Sequence, residues 1–216
     1  MTVSVLSLSL LAAVPVFKGF EAPRYQQHDA IIAKCVREFN RHRGAWADAN
    51  RCQARTIPNI TEELVKAHLI QETGGGDRRS LAAWKRDPLQ VNTPGDWGDE
   101  KRLLGLRKPK RRNEGSAEQN IRAAIKYLVR KGFSKSGKPV RTVDAQEFSD
   151  WASALENYNA RTAKAASGKE YCEEYADRII ERAGNRTRHV GIEIKLKQTQ
   201  KGGLDQVRSA VFSDSL

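Results

Sequence analysis

Between Ser116 and Gly132, the apolar residues Ile121, Ala124, Ile125, Leu128 and Val129 recur at i, i+3, i+4, i+7 and i+8, the spacing that an α-helix gathers on one face. Ser116 and Gln119 form a capping box ahead of this run, and Gly132 supplies a stop behind it. A helix with one apolar face must bury it against another element, and candidate partners recur along the chain at the same period. Ile31, Ile32, Cys35, Val36 and Phe39 stripe a helix over 28–42. Val65 and Leu69 stripe another, introduced by Pro58, capped by Asn59 with Glu62 at its third position, and ended by Gly74. Phe148, Trp151, Leu155 and Tyr158 mark a helix from Asp144, and Tyr171, Tyr175 and Ile179 one over 169–183, expected to pack behind any site the fold carries. The spacing predicts a mainly α fold.

Period two appears only near the ends. Val3 and Val5, then Leu6, Leu8 and Leu10, alternate near the start, and Val190, Ile192, Ile194 and Leu196 alternate near the other end. A lone strand is unstable, so the two would pair as a small terminal β element. The opening stretch has a second reading as a weak secretory signal, although no Lys or Arg precedes Lys18. It is too short and serine-rich for a membrane span. The chain of 216 residues, 39% of them hydrophobic, suffices for one core. It divides into an apolar segment over 1–23, a helical domain over 24–184, and a strand and tail over 185–216, the tail a short helix or loose chain.

Glu72 is the residue that this pattern makes conspicuous. It lies at i+7 from Val65 and i+3 from Leu69, so it continues an apolar stripe at a helix end loosened by Gly74, Gly75 and Gly76. Desolvation there would keep the carboxyl protonated toward neutral pH, as a general acid requires. The alternative is an ordinary solvated residue of a last helical turn. His68, one turn earlier, either tunes the acid or is structural. From Gly76 to Gly115 the chain reads as irregular and forms a wall of the site, carrying Trp84, Trp97 and the basic run from Leu106 to Arg112. The two indoles suit sugar faces or core filling.

The formal charge of +12, from 38 Lys and Arg against 26 Asp and Glu, favours a polyanionic partner. No helix-turn-helix, zinc-finger or RNP signature accompanies it, so nucleic acid is not expected, although a basic module using 102–112 is the rival reading. Cys35, Cys52 and Cys172 lack metal-ligand spacing; Cys35 and Cys52 would suit a disulfide or stay buried thiols. No Walker, GxGxxG or HExxH motif occurs, so neither metal nor cofactor is expected.

Four short motifs fall in order: Gln71-Glu72-Thr73-Gly74-Gly75, Pro88-Leu89-Gln90-Val91-Asn92, Asn120-Ile121 with Tyr127-Leu128, and Tyr158-Asn159-Ala160. Over roughly Ile57 to Gly184 this resembles the soluble-type lytic transglycosylase domain, related to goose-type lysozyme, whose pattern runs Glu-Ser, Gly-Leu-Met-Gln-Val/Ile, Asn-Ile-x-x-Gly-x-x-Tyr-Leu and Ala-Tyr-Asn. Gln90 follows Glu72 by 18 residues, as that family's spacing expects. Thr73 replaces Ser, Asp87-Pro88-Leu89 replaces Gly-Leu-Met, and Ala124 replaces Gly. The resemblance implies a lysozyme-like helical fold with a groove and a peptidoglycan substrate cut between N-acetylmuramic acid and N-acetylglucosamine. It implies Glu72 as acid and then base, and substrate contacts from Thr73, Gln90, Tyr158 and Asn159, with Tyr158 over the glutamate. It further implies Asn120 as a buried brace, a periplasmic or secreted place of action, and an inhibitor or immunity protein as a candidate partner. Asp77, Asp87, Asp96 and Asp99 keep a hydrolytic, lysozyme-type outcome open, and the altered motif residues keep open a glycan binder without catalysis.

Overall fold

The computed structural model describes residues 14–133 and 147–184. Among them the fold is mainly α, with helices α1 (Asp29–Asn50), α2 (Glu62–Thr73), α3 (Arg78–Arg86), α4 (Asp99–Leu103), α5 (Ala117–Lys131), α6 (Trp151–Asn159) and α7 (Tyr171–Gly184). β structure among these residues amounts to one antiparallel bridge between Lys164 and Glu170. The alternating segments over 3–10 and 190–196 lie outside the described residues. No described helix is long and apolar enough to cross a membrane.

α2 packs on α7, α7 on α6, α6 on α5, α5 on α1 and α1 on α2, which closes a circuit, while α3 lies against α2 and α5. The shared core takes Leu69 and Val65 from α2, Ile121 and Leu128 from α5, Leu155 from α6 and Ile179 from α7. Phe17, in the segment set apart by the sequence, is buried in this same core. All three cysteines are free thiols, so Cys35 and Cys52 form no disulfide.

The expected helices form, with shifted ends. Helix α1 runs past 42 to Asn50, burying Ala47 before Arg51 turns left-handed at φ 57°. Helix α2 starts later than expected: Thr61, not Asn59, caps it, its hydroxyl accepting the Leu64 N–H. The reason lies in Asn40, whose side chain binds both Ile60 O (2.9 Å) and Ile60 N (3.1 Å) and holds that residue outside the helix. Asn59 accepts from Arg43 instead.

Helix α6 begins at Trp151, where the Asp150 carboxylate accepts the Ser153 N–H at 2.7 Å. Phe148 precedes the helix and is buried, its N–H donated to Thr56 Oγ1; Asp144 lies outside the described residues. Phe148 also explains Gly132, since a Cβ there would sit 2.0 Å from the ring. The segment from Gly76 to Gly115 is more ordered than expected, because Asp77 accepts the N–H groups of Arg79 (2.9 Å) and Ser80 (3.0 Å) and starts α3.

Candidate active site

Helix α2 is buried along its whole length from Leu64 to Ile70, so its polar residues must find partners inside the protein. It ends where a Cβ on Gly74 would lie 2.5 Å from Ile70 O. This termination leaves Glu72 in the last turn with 15% of its side chain exposed.

The Tyr175 hydroxyl, from α7, donates to Glu72 Oε1. His68 Nε2 lies 2.7 Å from that same phenol oxygen and 3.9 Å from Glu72 Oε1. Burial pushes the His68 pKa down to about 3, so the ring is neutral near neutral pH. A phenol has one proton; with that proton on Glu72, His68 Nε2 is the N–H that donates to Tyr175. The chain His68, Tyr175, Glu72 occupies Oε1, so the proton of the acid falls to Oε2, whose remaining lone pair faces Gln90 Nε2. Burial raises the Glu72 pKa to about 7, and the charge of Asp87 pushes the same way, while the Tyr175 hydrogen bond and Lys101 pull it down. Glu72 therefore holds its proton up to about neutral pH and can give it to a bound group.

Gln90 reaches the other side of the carboxyl group. Its Nε2 donates to Glu72 O at 3.0 Å and stands 3.3 Å from Glu72 Oε2. Its backbone is left-handed at φ 49°, which an L-residue adopts at a cost of about 1 to 2 kcal/mol. The surrounding bonds hold it there. Asp87 accepts the N–H groups of Val91 (3.0 Å) and Asn92 (2.9 Å). Thr73 Oγ1 donates to Pro88 O (2.7 Å), Tyr158 Oη to Leu89 O (2.7 Å), and Lys101 Nζ to Val91 O (2.9 Å). The turn from Asp87 to Asn92 is thus pinned at its carbonyls by three separate elements.

The expected site residues differ in what their side chains touch. Thr73 is buried, and its hydroxyl donates to Pro88 O and holds the turn. Tyr158 likewise spends its hydroxyl on Leu89 O, and its ring packs edge-on against His68 at 4.5 Å and Tyr127 at 5.1 Å. Asn159 does reach the cleft beside Glu72, a space of about 240 Å³ that Gln71, Arg161, Tyr171, Tyr175 and Arg178 also line. Asn120 is fully buried, and its amide donates to Arg86 O (2.8 Å) and Glu114 O (2.9 Å), bracing the end of α3 against the approach to α5. Trp84 is core: it is 4% exposed, and its indole N–H donates to Arg24 O at 3.0 Å.

Tyr175 and His68 are neighbours of Glu72 that the sequence did not single out as such. Tyr175 stood in an apolar stripe, and only its polar end distinguished it. His68 stood one turn from Glu72, a visible i, i+4 pairing whose importance depends on burial. No family model, curated protein or solved structure matches this chain.

Proposed function

We propose that this protein cleaves peptidoglycan at the β-1,4 bond between N-acetylmuramic acid and N-acetylglucosamine, as a lytic transglycosylase with Glu72 as acid and then base. One observation carries this reading: Glu72 is a buried carboxyl group whose pKa is raised to about 7, held by Tyr175 and Gln90 at the edge of a cleft. Glu72 gives its proton to the glycosidic oxygen as the bond from C1 breaks. The carboxylate left behind takes the proton of the muramic C6 hydroxyl while O6 bonds to C1, closing a 1,6-anhydro ring. Glu72 ends protonated, and no water is consumed. Since peptidoglycan lies outside the cytoplasmic membrane, the protein would act in the periplasm or after secretion.

The aspartates favour this outcome over hydrolysis, which in its usual scheme needs a second carboxylate free to attack or to activate water. Asp87 is buried on two backbone N–H groups, Asp77 caps α3, Asp96 pairs with Lys101 at 3.1 Å, and Asp99 pairs with Arg102 at 3.2 Å. The test is mass spectrometry of soluble products from bacterial sacculi treated with the wild type and with Glu72→Gln. Anhydromuramic ends from the wild type alone are expected. Reducing ends would make it a muramidase, and no products from either protein would end the enzymatic reading.

A further inference from the structure

Gln90 and Thr73 line a second cleft, also of about 240 Å³, together with Ser80, Thr93, Arg79 and Arg112. It adjoins the acid, because Gln90 bonds Glu72 directly and Thr73 is the next residue along α2. Arg79 comes from the first turn of α3 and Arg112 from the loop ahead of α5. Other arginines of the protein pair with acids: Arg122 with Glu38 and Glu118, Arg130 with Glu100, Arg178 with Glu174. Among the described residues, neither the Arg79 nor the Arg112 side chain has such a partner. The acids beside them are engaged elsewhere. The Asp77 oxygens take the backbone N–H groups of Arg79 and Ser80 and the Ser80 hydroxyl, while Glu114 accepts the Lys110 N–H and lies 3.8 Å from Arg111. No acidic side chain lines the cleft itself. Two non-glycine residues in the left-handed region, Gln90 at φ 49° and Asn113 at φ 61°, line it as well, the kind of local strain that persists where surrounding structure enforces it.

Two arginines lining a cleft that no acid lines fit a carboxylate, which guanidinium groups can bind through paired N–H groups. We propose that this cleft is a carboxylate-binding subsite, through which the protein selects glycan strands carrying acidic substituents over neutral ones. This rests on the peptidoglycan-cleaving function proposed above. On such a strand the carboxylate is either that of the muramic lactyl group or one carried by an attached peptide.

The test measures affinity in the Glu72→Gln background, where turnover does not interfere, for neutral chitooligosaccharides, for glycan strands stripped of peptide, and for strands with peptides intact. The expected preference for acidic over neutral strands is about tenfold or more at low salt, shrinking as salt screens it. It should collapse toward one in Arg79→Gln/Arg112→Gln and survive in part in Arg79→Lys/Arg112→Lys, which keeps the charge but loses the fork. Whichever acidic strand loses more identifies the carboxylate. A preference equal in the parent and the double glutamine variant overturns the subsite. Cleavage by the wild type is scored separately: products without a charge preference sink the subsite alone, and a charge preference without products sinks the enzymatic reading alone.

Discussion

Helices α5 and α2 are both central to the packing, yet they are built on opposite plans. α5 is amphipathic. Ile121, Ala124, Ile125 and Leu128 face the core, and Arg122 lies toward solvent between Glu38 and Glu118. Its buried polar residues sit at its ends, Asn120 in the first turn and Arg130 and Lys131 in the last, where they meet loops and Glu100. α2 is buried on every side and carries polar groups in successive turns: Lys66 bonded to Gln26 and, at 2.9 Å, to Asp29; His68 bonded to Tyr175; and Glu72 bonded to Tyr175 and Gln90. Burying such groups costs free energy unless each has a partner. α5 thus earns stability from apolar area, whereas α2 gives some up to hold a carboxyl group in its neutral form. That divergence separates scaffold from site.

Substituting Glu72 breaks the comparison hardest. Glu72→Gln should reduce cleavage of sacculi by about 100- to 10,000-fold, the usual contribution of a positioned acid. The same change should stabilise the protein. The folded state holds the Glu72 proton up to about pH 7, against an ordinary value of 4.5. Between those pH values the unfolded chain has already released the proton, so wild-type stability falls as pH rises through this window. The full loss is about 3 kcal/mol, and glutamine does not incur it. Thermal melts of both proteins should coincide at pH 4, diverge up to neutral pH in favour of the variant, and run parallel above it. A variant that melts lower at pH 8 would show that the carboxyl group is not strained by burial.

On the scaffold side the expected response is the reverse. Leu128→Ala in α5 removes a fully buried side chain and should cost about 2 to 5 kcal/mol of stability in urea titrations, with specific activity of the folded protein kept. Tyr175→Phe falls between the two. It deletes the hydrogen bond to Glu72 and leaves His68 Nε2 without its partner, for about 1 to 3 kcal/mol of stability. Since that bond holds the Glu72 pKa down, the alkaline limb of the pH–activity profile should move upward. A limb that stays in place would separate Tyr175 from the titration of Glu72.

The difference between the helices also explains what could be read from sequence. Everything α5 needs is local: its stripe, the Ser116 cap and the stop at Gly132 lie within one stretch of chain, and the Ser116 hydroxyl does accept the Gln119 N–H. Glu72 was legible for the same reason, as an acid out of place in an apolar stripe. What surrounds it was not. Tyr175 meets His68 across 107 residues of sequence, and Tyr158 meets Leu89 across 69; local periodicity cannot encode such pairings. The Asn59 cap failed because a distant Asn40 captures Ile60. Trp84 stood open between a sugar face and core filling because nothing adjacent in sequence announces the Tyr25 ring 5.5 Å away that helps to bury it.

The smallest effect tests how far the site depends on indirect support. Tyr158→Phe keeps the ring that packs on His68 and Tyr127 and removes only the bond to Leu89 O, a loss of about 1 kcal/mol. Gln90 is the next residue after Leu89, in a left-handed conformation at φ 49°, and the bonds to the neighbouring carbonyls from Thr73 and Lys101 remain. The turn should therefore loosen without collapsing. The expected result is a several-fold fall in kcat, with the pH limb set by Glu72 unmoved because the Tyr175 bond is intact. A fall as large as that of Glu72→Gln would instead give the Tyr158 hydroxyl a direct part in the reaction. No fall at all would show that Asp87, Thr73 and Lys101 hold Gln90 without it.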